Sequence, residues 1–167
     1  MTDMASYAVP ESGCQSGFSE QDLATLSTAR LILQRKLHRA NLISSWSMLT
    51  EYLVLSASQE RVETFRVLFL NRKTVLIRDK IMGRGTVDHV PVYVREVLRS
   101  ALLLDACAVI LCHNHPSGDP RPSKDDIEMT QKIAEACKLF EITLHDHVIV
   151  GHGREDVAFS MKAEGLI

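Results

Sequence analysis

From Ser19 onward, Leu23, Leu26, Ala29, Leu31 and Leu33 form an apolar stripe, and Glu20 and Asp22 stand where a first helical turn favours acidic side chains. A second, shorter helix is expected after Ser44 or Ser45, through Met48, Leu49 and Leu53. The stretch Val62 to Leu70 is rich in β-branched and aromatic residues and predicts a strand. Asn71-Arg72-Lys73 is a polar turn, Val75 to Ile81 predicts a second strand, and the two should form a hairpin. Gly83 and Gly85 are expected to break the chain before another extended piece at Thr86-Val87. Within Val92 to Asp105, the residues Val94, Val97, Leu98, Ala101 and Leu102 keep helical spacing. Ala106 to Cys112 is a continuous apolar run of strand length, the pattern of a central strand buried on both faces. It leads into His113-Asn114-His115 and a Pro/Gly-rich loop ending at Pro122. Ser123 then starts a helix reaching about Leu139, and Ile142 to Val150 predicts another strand. Helices alternating with buried strands indicate an α/β layered domain with a mixed sheet flanked by helices.

Composition narrows the class of protein. The 167 residues are 46% hydrophobic and 24% charged, as in one ordinary globular domain and unlike a disordered or fibrous chain. Residues 1–18 mix Gly, Ser, Pro and Gln without periodicity and read as a flexible tail, 19–58 as a short helical lead-in, and 59–167 as the main domain. No stretch approaches the roughly 18 consecutive apolar residues of a membrane-spanning helix. The polar start, with acidic Asp3 and Glu11, is not that of a signal peptide, so a cytoplasmic location is expected. Cys14, Cys107, Cys112 and Cys137 form no C-x-x-C pair and are expected to be reduced thiols rather than disulfides or a thiolate metal site. A net charge of -2 offers no general attraction to nucleic acid or anionic membrane. Function must come from local residues.

The segment His113 to Asp126 carries the chemistry. His113 and His115 are two apart at a strand end, so alternation puts both imidazoles on one side, and the chain returns to a helix whose first turn holds Asp126. Two neutral imidazoles and one carboxylate are a typical three-ligand set for catalytic zinc, with a fourth position left for water. A dication so held keeps a net positive charge, which acidifies bound water. Blander readings exist. The histidines could be hydrogen-bonded polar residues at a strand-loop junction. Ser123-Lys124-Asp125-Asp126 also has the form of a capping box, with Ser123 as N-cap and Asp126 reaching back from the third helical position.

As a set, His113, His115, Pro116, Ser123 and Asp126 resemble the JAMM (JAB1/MPN/Mov34) metalloprotease signature: H-x-H-P, six residues, then S-x-x-D. More narrowly, HNHPSGDPRPS resembles the bacterial RadC family, also called UPF0758. The likeness extends to Glu63 in VETFRVLFLN, Gly85-Thr86, Arg95-Glu96 and Asp146-His147-Val148-Ile149, and runs from about Ser56 to the C-terminus. The resemblance implies a three-layer MPN/JAB-type sandwich, like the cytidine-deaminase-type fold, over the 59–167 region. It makes His113, His115 and Asp126 the ligands of one Zn2+ per chain. Ser123 would hydrogen-bond to the developing oxyanion or hold the metal-bound water, and Glu63 would be the general base. Read without the family, Glu63 could equally be a solvated residue at a strand edge, with Glu60 close by. The implied activity is hydrolysis of an amide or isopeptide bond in a peptide or protein substrate. The alternative is a RadC-like accessory protein in DNA repair or recombination, binding DNA or a partner without proteolysis; a third is a scaffold that has lost activity. Many members carry an N-terminal helix-hairpin-helix region, whereas Ser19 to Ser58 lacks the paired Gly-containing hairpin of that module. Members usually have proline where Val94 stands, beside an expected helix-start ion pair, Arg95-Glu96.

Other residues carry weaker signals. His145 and His147 share a strand face and suggest a second metal site, against a hydrogen-bonded Asp146-His147 pair that supports the sheet or the metal ligands from behind. Arg30, Arg35, Lys36 and Arg39 make one helix locally basic, as a nucleic-acid contact or a solvated face. Cys112 should point away from the histidines into the core. His89 and His152 give no specific signal. The chain has no H-E-x-x-H helix, no H-x-E with P-C-x-x-C, and no G-x-x-x-x-G-K-[ST] loop.

Overall fold

Strands and helices sort their apolar side chains onto the two faces of one five-stranded sheet. The computed structural model describes residues 19–39, 41–42, 46–57, 60, 62–85, 92–151 and 158–167. The expected tail with Cys14, together with Ser44, Ser45, the Thr86-Val87 piece, His89 and His152, lies outside them. In chain order the elements are α1 (Glu20–Leu37), α2 (Trp46–Ala57), β1 (Thr64–Leu70), β2 (Leu76–Arg84), α3 (Val94–Leu103), β3 (Ala108–Asn114), α4 (Lys124–Leu139), β4 (Thr143–Val150) and β5 (Ala158–Ser160). The strand order is β2-β1-β3-β4-β5. β1 is antiparallel to β2 and β3, β3 and β4 are parallel, and β5 is antiparallel to β4.

Alternation along the central strands builds two cores. Leu68 and Leu70 of β1, Ile110 and Cys112 of β3 and Val148 and Val150 of β4 meet Leu49, Tyr52 and Leu53 of α2 and Leu37 of α1. Phe65, Val67 and Phe69, with Val109 and Leu111, meet Val97 and Ala101 of α3 and Ile133 and Cys137 of α4. The layering is therefore helix, sheet, helix. Every residue of β1 and β3 is buried, which accounts for their unbroken apolar runs. Cys112 lies in the core as expected.

An ion pair is buried on the α2 face. Arg66 pairs with Asp79 across β1 and β2, and the Tyr52 hydroxyl donates to the same carboxylate. Burial and then the Asp79 charge push the Tyr52 phenol well above its ordinary value. Burial also pushes the Cys112 thiol up to about 12, although Arg66 pulls the other way.

The structure corrects several local expectations. Leu23 and Leu31 of α1 are exposed, because α1 packs against α2 and buries only Leu37. Leu102 is likewise exposed at the end of α3. Gly83 does not break the chain: β2 continues to Arg84, with Gly83 opposite Phe65 and a register shift beside it. Glu96 pairs with Arg99 at 3.1 Å rather than with Arg95, since residues three apart share a helix face and neighbours do not. β5 was not foreseen; three residues are too few to show a period.

Candidate metal centre

β3 carries His113 and Asn114 to the C-terminal end of the sheet. His115 stays attached there because its N–H donates to Val150 O, at the end of β4, at 2.8 Å. The following loop turns at Gly118, which has φ +92°, a conformation that favours glycine. Its carbonyl lies so close to Gly151 that a Cβ there would sit 2.2 Å from the oxygen. The loop then reaches Ser123, the N-cap of α4. β1 runs antiparallel to β3, so Glu63, one residue before β1, falls beside the same end of the sheet.

These elements bring four predicted residues together. One ligand atom each from Glu63, His113, His115 and Asp126 lies within 4.8 Å of all the others. His113 Nε2 and His115 Nε2 are 2.8 Å apart, and Asp126 Oδ1 is 3.3 Å from His113 Nε2. Asp126 Oδ2 is 3.7 Å from His115 Nε2. Glu60 is engaged elsewhere, with Arg84 at 3.1 Å. Among the described residues no second group of this kind forms. A register shift in the β3–β4 ladder beside His145 breaks the alternation expected to align it with His147.

The two readings of Asp126 coexist in one carboxylate. Its Oδ2 accepts from the Ser123 N–H at 2.8 Å and from Ser123 Oγ at 2.5 Å, while Ser123 Oγ accepts from Asp126 N–H at 3.1 Å. That is a complete capping box. Its Oδ1 remains turned to His113. Burial alone would raise the Asp126 carboxyl, but the two imidazoles beside it, which would bear positive charge if protonated, overcome that and hold the group far below the usual carboxylate range. The Asp126 carboxylate beside it raises His115, against its partial burial.

A hydrogen-bond chain behind His113 fixes its tautomer. The Thr130 hydroxyl has one proton and donates it to Asp126 O at 2.6 Å. It therefore accepts from His147 Nδ1–H at 2.5 Å. His147 Nε2 must then accept from His113 Nδ1–H at 2.8 Å. Burial holds His147 well below its ordinary value, followed by repulsion from His113, so it is the neutral imidazole that the chain requires. His115 Nδ1–H donates to Asp119 O at 2.6 Å. Both Nε2 lone pairs are thus left facing one another beside a carboxylate, and two such lone pairs at this distance call for a cation between them. The donor set fits a divalent metal ion.

His147 stands behind a candidate ligand, as one sequence reading had it. It is bonded to Asp146 only through its backbone N–H, at 2.7 Å to Asp146 Oδ1. The Asp146 carboxylate holds Ser160 Oγ and Lys162 N instead. The imidazole supports His113, and Thr130 was missed altogether. A buried Thr one turn after Asp126 was its only signal.

Comparison with known proteins shows the family of the chain. A family model described as RadC-like JAB domain matches residues 43–166. A UPF0758 protein of Rhodobacter capsulatus is 49% identical over 148 residues, 89% of this chain and 67% of that protein. A UPF0758 protein of Ruegeria pomeroyi is 48% identical over 141 residues, 84% of this chain and 62% of that protein. The chain thus spans about two thirds of the length of these curated relatives. A family model matching residues 43–166 and relatives nearly half identical lead to one conclusion: the chain belongs to the RadC family of JAB-domain proteins.

Proposed function

We propose that this protein is a zinc-dependent amide hydrolase of the metallopeptidase type, acting on a peptide or isopeptide bond of a protein substrate. The observation that carries this reading is the convergence of Glu63, His113, His115 and Asp126 within 4.8 Å. Two neutral nitrogens and one carboxylate form a zinc donor set with room for water. When bound, zinc supplies the Lewis acidity that polarises a carbonyl and makes water nucleophilic near neutral pH. His113, His115 and Asp126 would hold it. Glu63 takes the proton from the attacking water and delivers it to the leaving amine, as a general base and then acid. Ser123 keeps Asp126 in place through the cap. Its one proton goes to Asp126 Oδ2, so contact with a developing oxyanion requires that hydroxyl to turn. The loop Ser117–Pro122 would line the approach.

The test is hydrolysis of a peptide and isopeptide library by the zinc-loaded full chain, compared with Glu63→Gln. Loss of about 10²–10⁴-fold in turnover for the variant, with zinc still bound, is expected for removal of a general base. Equal turnover in both would refute the assignment. No zinc-dependent cleavage, with salt-sensitive retention of DNA at low ionic strength, would replace it by a nucleic-acid role.

A further inference from the structure

Asn114 stands between the two histidines, is 2% exposed, and contributes nothing to the donor set. Backbone pairing between β1 and β3 ends with Phe65 opposite His113. Past that point the Asn114 carboxamide takes over. Its Nδ2–H donates to Val62 O at 3.1 Å. Its Oδ1 accepts from Thr64 N–H at 2.9 Å and from the Thr64 hydroxyl at 2.6 Å. A carboxamide offers donor and acceptor as a peptide group does, so it extends the ladder where the backbone leaves it. The residue enclosed between the two bonded positions is Glu63. Its own carbonyl accepts from Gly85 N–H at 2.9 Å.

We infer that Asn114 is a positioning residue that fixes the backbone of Glu63 relative to the histidines on either side of Asn114, an inference resting on the reading of Glu63 as the general base. One side chain on the ligand strand thereby sets the spacing between base and metal ligands. The chemistry selects asparagine. Aspartate has no proton for Val62 O and would bury a charge there. Alanine reaches neither backbone group. Thr64 shares the task through its hydroxyl. A misplaced base costs rate even when every reacting group is present.

Cobalt(II) added to the full chain provides a probe that needs no substrate, because visible absorption reports both its binding and the pH dependence of its surroundings. Wild type is compared with Asn114→Ala, the isosteric Asn114→Asp, Glu63→Gln and the double variant Asn114→Ala/Glu63→Gln. Amide exchange is followed at Thr64 and Val67. Asn114→Ala should bind cobalt within about 3-fold of wild type, well short of the ~10–100-fold loss expected for a residue that supports a ligand. Its pH profile should shift in the same direction as that of Glu63→Gln, and the double variant should shift no further than Glu63→Gln alone. Exchange at Thr64 should rise at least ~10-fold while Val67 stays protected. If alanine unfolds the chain, Asn114→Asp supplies the same comparison, with Val62 O as the lost contact. A cobalt affinity lowered more than ~10-fold would overturn the inference, because Asn114 would then be holding the ligands. A profile moved by Glu63→Gln but not by Asn114→Ala would overturn it with the base intact. A profile unmoved by Glu63→Gln itself would remove the base, and the inference with it.

Discussion

Asp126 shows how one side chain can serve two purposes that look exclusive in the sequence. Oδ2 closes the capping box with Ser123, and Oδ1 faces His113. The two uses can be separated. A carboxamide in place of the Asp126 carboxylate would retain an acceptor for the Ser123 N–H but lose the charge. Asp126→Asn is therefore expected to cost about 1 kcal/mol or less in urea unfolding, and to abolish metal retention in a dialysed sample. An Asp126→Asn protein that keeps its metal would show the residue to be a cap alone. Thr130→Val tests the hydrogen-bond chain behind His113. The valine side chain is close in size but leaves His147 Nδ1 without a partner, and metal affinity measured by chelator competition should fall ~10–100-fold. The sequence shows His113, His115, Ser123 and Asp126 because their spacing is local. His147 was legible as a support behind the ligands, whereas Thr130 depends on how α4 lies across β4, which no spacing encodes.

At the scale of elements, the centre depends on loops seated on strand ends. The approach of Gly118 to Gly151 leaves no room for a side chain at position 151, and the loop held there carries His115. Gly151→Ala should weaken metal binding although residue 151 touches no ligand; unchanged affinity would show that the loop can shift freely. The buried thiols give a second check. Cys112 and Cys137 are raised to about 12 and about 11 by burial, whereas Cys107 is only partly buried. Because the thiolate is the reactive form, a thiol reagent at pH 8 should label Cys107 and leave Cys112 and Cys137 until the protein unfolds, as read by peptide mass. The hairpin, the buried strand and the motif helix were all legible from apolar runs and turn residues. The continuation of β2 through Gly83 and the existence of β5 were not. Both are fixed by pairing partners, Phe65 for Gly83 and Ile149 for Phe159.

The whole molecule is a sheet with its candidate chemistry on one face and its buried charge on the other. Tyr52, Arg66, Asp79 and Cys112 tie α2 to the face away from the histidines. Cys112 is raised from 9.0 to about 12 and Tyr52 is raised above 10.0. Raised values mean that the unfolded chain gives up these protons first. Stability from both groups is thus fully present below about pH 9 and falls as pH climbs toward 12. Urea midpoints should decline over that range, and a flat alkaline profile would contradict the burial of these two groups. Among the described residues, no helix is long and apolar enough to cross a membrane. The net charge of -2, uninformative alone, leaves local chemistry to define function, and that chemistry is the cluster at the end of β3. The most direct test of the account is the zinc content of the full chain after equilibration with micromolar zinc and gel filtration, beside His113→Ala. The expected result is about one zinc per wild-type chain and close to none in the variant, with unchanged circular dichroism, as for a three-ligand protein site. A wild-type chain that emerges without zinc, or a His113→Ala chain that retains as much, would contradict it.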